Sequence, residues 1–319
     1  MLCHVGHSFM ASHLWAKAGD STTMSQAKHV TPIEAPYQGR TAVLATKHQK
    51  EAVLGPLFHE ELGLRLIVPA DLNTDLLGTF SGEIPRPGPP REVLLKKVRW
   101  GMKVTGLSLG IASEGSFGPA PDLPFMSVDH EMLAFIDDDL GIQIVEQIVS
   151  PDTNFASIAV RSVDDLTEFL PRCGFPDHGL IVRPNVRQEP DMLFKVFKGI
   201  TTPAALQEAV AFSAGVSADG LARVETDMRA HMNPTRQRVL RQLGTQLVRR
   251  LASRCPACGV PGWGLVDVVR GLPCQACGED TDWVKQEIWG CARCEHQEAR
   301  DRSDGLTAVG PEHCRWCNP

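Results

Sequence analysis

The amino-acid sequence predicts an α/β domain with a mixed, mainly parallel sheet, followed by a linker helix and a small cysteine-rich zinc-ribbon module. Two observations predict this fold. Short β-prone runs alternate with helical patterns through most of the chain, which is typical of strands joined by helical crossovers. Four Cys-x-x-Cys pairs then occupy the last 65 residues, where eight of the ten cysteines lie.

We expect four segments along the 319 residues: a loose tail over 1–38, the α/β domain over 39–232, the linker helix over 233–254 and a double zinc-ribbon module over 255–319. No apolar run approaches the roughly 20 residues that a membrane span needs. The first 38 residues also lack the continuous apolar core of a signal peptide. These features, with cysteines paired for metal rather than for disulfides, predict a cytoplasmic protein without a membrane partner.

Composition argues against a generic nucleic-acid binder. The formal net charge is −6 with a pI of about 6.0, whereas phosphate backbones are held mainly by Lys and Arg. Aromatic residues make up only 6% of the chain, which leaves few rings for stacking on bases.

The first elements form a β-loop-α-β unit. A β-prone run over 41–46 precedes a helical pattern over 53–62, and a second strand is expected over 64–68 after Gly63. This order implies a parallel pair with a right-handed crossover. The intervening loop is either a solvated helix start or a phosphate-binding helix N-terminus. In the second case its ligand-binding side chains are Thr46, Lys47 and Lys50.

The stretch 112–119 follows an apolar strand expected over 107–111. It combines one carboxylate, two hydroxyls and two glycines, and we expect it to be a loop. Ligands bind at the carboxyl ends of strands in open α/β sheets. We therefore expect Glu114 to be catalytic, with Ser113 and Ser116 as ligand-binding residues.

Two further regions add polar groups. The long connection 71–88 offers Thr79 and Glu83 as ligand-binding residues, because long loops inside compact domains are often functional. The helix expected over 92–103 carries Lys96, Lys97, Arg99 and Lys103 around its apolar stripe, and we expect this charged face to be solvated. The triple Asp137-Asp138-Asp139 before Gly141 indicates a hairpin turn.

The densest polar cluster is 225–236. It follows a late strand, and it supplies Asp227, Arg229 and His231 as catalytic candidates. Asn233 and Arg236 are candidates for ligand binding. Asn233-Pro234 also predicts the start of the linker helix, whose leucines at 240, 243, 247 and 251 mark one buried face. Seven arginines and no acidic residue lie over 229–254, either facing an anion or neutralising the acidic module that follows.

The four cysteine pairs predict two structural zinc sites with four thiolates each. We expect the pairs to combine in sequence order, with an interleaved arrangement as the alternative and iron–sulfur ligation as a second one. The predicted metal ligands are Cys255, Cys258, Cys274, Cys277, Cys291, Cys294, Cys314 and Cys317. The segment 251–319 has seven basic and ten acidic side chains, and two zinc–thiolate sites bring it to about −7, so it would repel phosphate backbones.

Several blocks of sequence carry a resemblance. They are 45–51 (ATKHQKE), 78–83 (GTFSGE), 113–119 (SEGSFGP), 153–157 (TNFAS), 174–179 (GFPDHG) and 225–236 (ETDMRAHMNPTR). From about residue 38 to its end, the chain resembles an uncharacterised bacterial family, a domain of unknown function whose members carry the same C-terminal cysteine pairs. That family implies no activity.

The chain is also similar to the inosine/xanthosine triphosphate pyrophosphatases in the order of its elements. These are a strand, a Thr-x-x-x-Lys motif, a polar Ser-Gly-Glu loop and a Glu-Gly element. This resemblance implies that Thr46 and Lys50 hold phosphate and that Glu114 binds Mg²⁺. It further implies that Arg229 and His231 close the site. The usual Asn of the first loop is absent, the late Ser-His-Arg element is replaced, and the cysteine module has no counterpart in those enzymes.

Nucleic-acid processing would require the arginine-rich linker helix to be exposed. Two other functions are favoured over it. One is a metal-dependent nucleotide phosphohydrolase or pyrophosphatase acting on a small phosphate-bearing ligand, with Mg²⁺ on Glu114 and with Asp227 or His231 as the general base. The other is a non-enzymatic adaptor or ligand sensor that binds a protein partner through its zinc ribbons. The tryptophans that would serve this second function are Trp263, Trp283, Trp289 and Trp316.

Overall fold

A computed structural model describes residues 36–78, 87–120, 124–186 and 195–319. The predictions for Thr79, Glu83 and most of the N-terminal tail lie outside the described residues. The first part contains one sheet and its helices: β1 (Thr41–Ala45), α1 (Glu51–Leu62), β2 (Arg65–Ile67), α2 (Pro90–Thr105), β3 (Leu109–Pro119), β4 (Ser127–Asp137) and β5 (Ile142–Ser150).

The first sheet is mixed, with the strand order β2-β1-β3-β4-β5. Strand β1 pairs in parallel with both β2 and β3, whereas β4 and β5 continue the sheet as an antiparallel hairpin. The mixed α/β class and the β-α-β unit are thus confirmed, although the four strand pairs of this sheet divide equally into parallel and antiparallel ones. The hairpin turn after Asp137 is also confirmed, and Gly141 adopts the left-handed conformation (φ 65°) that such turns require.

The main difference from expectation lies in β3. This strand does not end at Ile111 but continues to Pro119, so Ser113–Gly118 is strand rather than loop. Glycines and polar residues are typical of loops, and this composition was the misleading signal. The backbone of this stretch is instead held by β4, which pairs with it from Leu109 to Pro119.

Helices cover both faces of the first sheet. Helix α2 packs Leu94 and Val98 against Val43 and Ala134 on one face. On the other face, α1 and α5 (Pro234–Ala252) pack together against the sheet. The α5 residues in this core are Leu243, Leu247, Val248 and Leu251. The helix expected to link the two regions therefore also belongs to the core of the first sheet.

A second sheet follows in sequence. Its elements are β6 (Ser157–Val160), α3 (Phe169–Cys173), β7 (Leu180–Pro184), β8 (Phe197–Ile200), α4 (Pro203–Val216) and β9 (Ala222–Thr226). The strand order is β6-β9-β7-β8, and every pair is antiparallel. Helix α4 packs Leu206 and Val210 on this sheet, which gives it a hydrophobic core of its own.

The cysteine-rich module contains a three-stranded antiparallel sheet of β10 (Gly264–Arg270), β11 (Val284–Gly290) and β12 (Gln297–Asp301). It packs on the first sheet, since Val260 joins the core that contains Ile144. Arg250 of α5 bridges the two, since it donates a hydrogen bond of 3.3 Å to the carbonyl of Gly262 and forms an ion pair of 2.6 Å with Glu146 of β5. None of the helices within the described ranges has both the length and the apolar character of a membrane span.

Candidate functional site

The eight predicted cysteine ligands form two clusters. One contains Cys255, Cys258, Cys291 and Cys294, and the other contains Cys274, Cys277, Cys314 and Cys317. The pairs are therefore interleaved, first with third and second with fourth, and the expected sequential combination is wrong.

The path of β10 and β11 explains this arrangement. Strand β10 runs from the first cysteine pair towards the second, and β11 returns antiparallel to the third. The first and third pairs therefore lie at the same end of this hairpin. The fourth pair reaches the second because Val309 forms a bridge with Cys274.

The geometry of both clusters fits a single tetrahedral ion. The Sγ–Sγ distances are 3.8 Å for Cys255–Cys294 and 3.6 Å for Cys258–Cys291. They are 3.9 Å for Cys274–Cys317 and 3.7 Å for Cys277–Cys314. Four sulfurs placed about 2.3 Å from one zinc ion would lie about 3.8 Å apart. A multi-iron cluster would hold its sulfurs farther apart, so one ion in each cluster fits better.

Backbone N–H groups stabilise the thiolate form of at least one cysteine. The N–H groups of Cys277 and Ala276 lower the pKa of Cys274 to about 7, so this thiol is readily deprotonated for metal binding. A metal ion held by four cysteine ligands has no open position, so an ion bound in either cluster would have a structural rather than a catalytic character.

A cleft of about 430 Å³ lies between the first and second sheets. It opens where β1 ends, because β1 pairs with β3 only as far as Ala112. Beyond that point β3 loses its neighbour on this side. Its segment from Ser113 to Phe117 then forms part of the cleft wall. This is the carboxyl end of β1, where α/β proteins bind ligands.

The structure brings five predicted site residues together in this cleft: Thr46, Lys50, Ser113, Glu114 and Ser116. They come from two segments more than 60 residues apart in sequence, the loop after β1 and strand β3. Lys50 is only 5% exposed, and its Nζ donates a hydrogen bond of 2.6 Å to Oγ of Ser113. Burial and the positive charge of Arg236 lower the pKa of Lys50 to about 7.

Glu114 points to the opposite face of β3, towards α2. Its carboxylate is buried and accepts a hydrogen bond of 2.5 Å from Nζ of Lys97. The expectation that the charged face of α2 is fully solvated is therefore wrong at one position, because Lys97 is buried and reaches into the cleft.

A third set of polar groups comes from the loop after β1 and the short 3-10 turn after β2. Asp75 of that turn forms an ion pair with Lys47 (3.1 Å), and its carboxylate also lies 3.3 Å from Nε2 of His48. Both Asp75 and His48 line the cleft, whereas Lys47 lies outside its wall. Burial and the charge of Lys50 lower the pKa of His48 to about 3, so this imidazole is neutral at physiological pH.

The second sheet contributes the facing wall. Arg223 and Glu225 project from β9 into the cleft, and Glu225 also accepts a hydrogen bond of 3.0 Å from Arg183. Phe155 lies above the same wall and stacks on Phe117 of β3, with ring centroids 6.1 Å apart. This stacked pair joins the two sheets at the rim of the cleft.

Behind β3 lies a buried charge cluster. Arg236 of α5 and Glu131 of β4 form an ion pair of 2.5 Å with both side chains fully buried. Gly115 makes room for it, because a Cβ there would clash with Oε1 of Glu131. Asp129 is 1% exposed, and burial together with the charge of Glu131 raises its pKa to about 8.

The remaining predicted site residues of 225–236 do not line the cleft. Asp227 is fully buried and forms an ion pair of 2.6 Å with Arg229. Asn233 caps α5 by accepting a hydrogen bond from the backbone N–H of Arg236. His231 stacks on His48, with ring centroids 5.6 Å apart, and so reaches the cleft only through that ring. The density of polar residues after β9 was the misleading signal, because Thr226 and Met228 of this segment line the cleft whereas its predicted site residues do not.

Sequence reasoning overlooked four cleft residues or misjudged their role: His48, Lys97, Phe155 and Arg223. Lys97 had a usable signal, since it directly precedes Val98 and lies one helical turn after Val93, both of which belong to the buried stripe of α2. Arg223 gave no signal, because an arginine in a strand is usually solvated.

A family model described as a domain of unknown function, DUF6671, matches residues 97–319. The chain belongs to this family. The match begins within α2, so it contains β3, the second sheet and both cysteine clusters, whereas Lys50 and His48 lie before it. The expected membership of an uncharacterised family is thus confirmed, although the matched region starts later than residue 38. A search of curated proteins found no match.

Proposed function

We propose that the cleft binds a small phosphate-bearing ligand, such as a nucleotide, and hydrolyses one of its phosphoryl bonds. The observation that supports this proposal most directly is the convergence of Lys50, Lys97 and Glu114 in one cleft. These residues come from the N-terminal end of α1, from α2 and from β3, and all three are buried at the cleft wall.

The cations would hold the phosphate. Among the described residues, Lys50 donates to the neutral hydroxyl of Ser113 and forms no ion pair, so its ammonium form can pair with an incoming anion. Thr46 and Ser116 add hydroxyl groups along the same wall. Such preorganised donors in a buried site stabilise charge on a phosphoryl group more strongly than they would in water.

The carboxylate of Glu114 would orient the attacking water. It is ion-paired with Lys97, and a phosphate that binds Lys97 would compete with it for that ammonium group. The carboxylate could then accept a hydrogen bond from a water molecule next to the phosphoryl group. Asp227 and His231, the general bases expected from sequence, would act only indirectly from their positions behind the cleft wall.

Mg²⁺ would enter with the substrate. Within the described residues, only the cysteine clusters bring three or more potential metal ligands together. A resident metal site in the cleft therefore has no preformed ligand set among them. Mg²⁺, however, is commonly held by one or two carboxylates together with substrate phosphates. Glu114 and Asp75 are the cleft carboxylates that could contribute, and the ion would supply charge neutralisation.

The test is phosphate release from a panel of nucleotides with Mg²⁺ or Mn²⁺. We expect Glu114→Gln to lower kcat by about 100-fold or more, because a catalytic carboxylate typically contributes this much. Glu146→Gln is the matched control, since it removes an ion-paired carboxylate away from the cleft. Turnover that is unchanged in Glu114→Gln, or no turnover of any nucleotide, would contradict the proposal.

A second candidate, an adaptor that binds a protein partner, is supported by the tryptophans of the module. Trp316 is 64% exposed and Trp283 is 38% exposed, whereas Trp263 is buried. Aromatic residues are enriched at protein interfaces. Such an adaptor could also sense a small ligand in the cleft, and a thermal-shift screen then distinguishes it from an enzyme. A sensor would be stabilised by its ligand without consuming it, whereas an enzyme would release product.

A further inference from the structure

The amine of Lys50 has an environment unlike that of the neighbouring lysines. Lys97 forms an ion pair with Glu114, and Lys47 forms one with Asp75. Within the described ranges, no carboxylate forms an ion pair with Lys50, whose Nζ donates to the hydroxyl of Ser113. The side chain is nevertheless buried and lines the cleft. A buried ammonium group without a paired carboxylate tends to lose its proton.

The charges that face Lys50 act in opposite directions on its protonation. Arg236 on α5 and Lys97 on α2 both disfavour the ammonium form, while Glu131 on β4 and Glu114 on β3 favour it. Each of these two carboxylates is already bonded to one of those two cations, so their effects largely cancel. Burial then dominates, and the pKa of Lys50 falls to about 7. At neutral pH, Lys50 is therefore neutral far more often than a lysine of ordinary pKa.

We propose that Lys50 forms an imine with anionic carbonyl compounds, meaning phosphate- or carboxylate-bearing aldehydes and ketones, that enter the cleft. The nitrogen lone pair attacks the carbonyl carbon, and a proton moves from nitrogen to oxygen to give a carbinolamine. Loss of water then forms the C=N bond, so amine and carbonyl yield imine and one water with no redox change. This is the chemistry of lysines activated by desolvation or by a neighbouring cation.

Other groups in the cleft suit this step. The hydroxyl of Ser113, 2.6 Å from Nζ, is placed to relay the proton between nitrogen and oxygen. Lys97 and Arg223 line the same cleft and would bind the anionic group of the ligand. Imine formation does not depend on phosphoryl hydrolysis, since it needs only a neutral amine at the cleft wall and a nearby cation.

Pyridoxal 5′-phosphate, an aldehyde that bears a phosphate, is a suitable probe. The full-length protein is incubated with a limiting amount at pH 7, reduced with borohydride and mapped by peptide mass spectrometry. A lysine of ordinary pKa is neutral about 10³-fold less often than Lys50 at this pH. We therefore expect most of the label on Lys50 although its side chain is buried. Label distributed over exposed lysines such as Lys47, with Lys50 unmodified, would overturn the proposal.

Three comparisons sharpen the result. Pyridoxal, which lacks the phosphate, should label Lys50 less than pyridoxal 5′-phosphate does. Added inorganic phosphate should slow the labelling of Lys50 by pyridoxal 5′-phosphate. Ser113→Ala keeps the amine and removes its hydroxyl partner, so it should slow imine formation without moving the label elsewhere. Equal labelling by the two aldehydes, with no effect of inorganic phosphate, would contradict recognition of the anion. Hydrolytic activity is not measured, so failure of the proposed hydrolysis would not alter these results.

Discussion

The buried ion pair between Arg236 and Glu131 gives a prediction about stability. Arg236→Met removes a guanidinium group that also donates a 2.5 Å hydrogen bond to the carbonyl of Met228. Glu131 would be left fully buried without its cation. Breaking a buried ion pair in this way costs about 3–5 kcal/mol. For a chain of this size, that loss should lower the melting temperature by roughly 5–8 °C.

The assay is thermal unfolding followed by circular dichroism, with two comparisons. Arg241→Met changes an exposed arginine of the same helix and should shift the melting temperature by less than about 2 °C. The double variant Arg236→Met/Glu131→Gln removes both charges, so it should be more stable than Arg236→Met alone. An Arg236→Met variant that melted like the wild type, or a double variant no more stable than Arg236→Met, would contradict this prediction.

Three further predictions follow from the geometry. Removal of Cys255 and Cys291 together should leave one metal ion per chain by elemental analysis, whereas removal of Cys255 and Cys274 should leave none; equal metal content in the two double variants would contradict the interleaved clusters. Gly115→Ala should destabilise the protein by about 1–3 kcal/mol in urea unfolding because of its clash with Glu131, while Gly118→Ala, with open space around it, should not. Because burial raises the pKa of Asp129 to about 8, the folded state binds more protons than the unfolded state between about pH 4 and pH 8. Stability should therefore fall as pH rises through this window, and Asp129→Asn should weaken that dependence; an unchanged pH profile of the melting temperature would argue against it.

The sequence predicted those features that depend on local chemistry. Asn233 and Pro234 start α5 as their capping preferences require, and its leucines are buried as their spacing indicated. The cysteine pairs identified all eight clustered ligands because two-residue spacing is itself part of the metal geometry.

Features that depend on residues distant in sequence could not be predicted from local sequence patterns. The extent of β3 is set by β4, which pairs with Ser113–Gly118 despite their loop-like composition. The sequence around Lys97 predicts a solvated lysine, because its ion-pair partner Glu114 lies on a different element, β3, beneath α2. The pairing of the cysteine knuckles depended on the return path of β11.

The most direct test of an anion site at Lys50 is its pKa with and without a bound oxyanion. Lysine labelled at ¹³Cε allows this pKa to be followed by NMR, and sulfate is a suitable stand-in for phosphate because it does not titrate near neutral pH. We predict a pKa of about 7 without sulfate. Saturating sulfate should raise it by one unit or more, since one unit corresponds to about 1.4 kcal/mol of preferential binding to the ammonium form. A pKa that does not change with sulfate, or that lies near the ordinary lysine value throughout, would contradict the proposed binding of phosphate at Lys50.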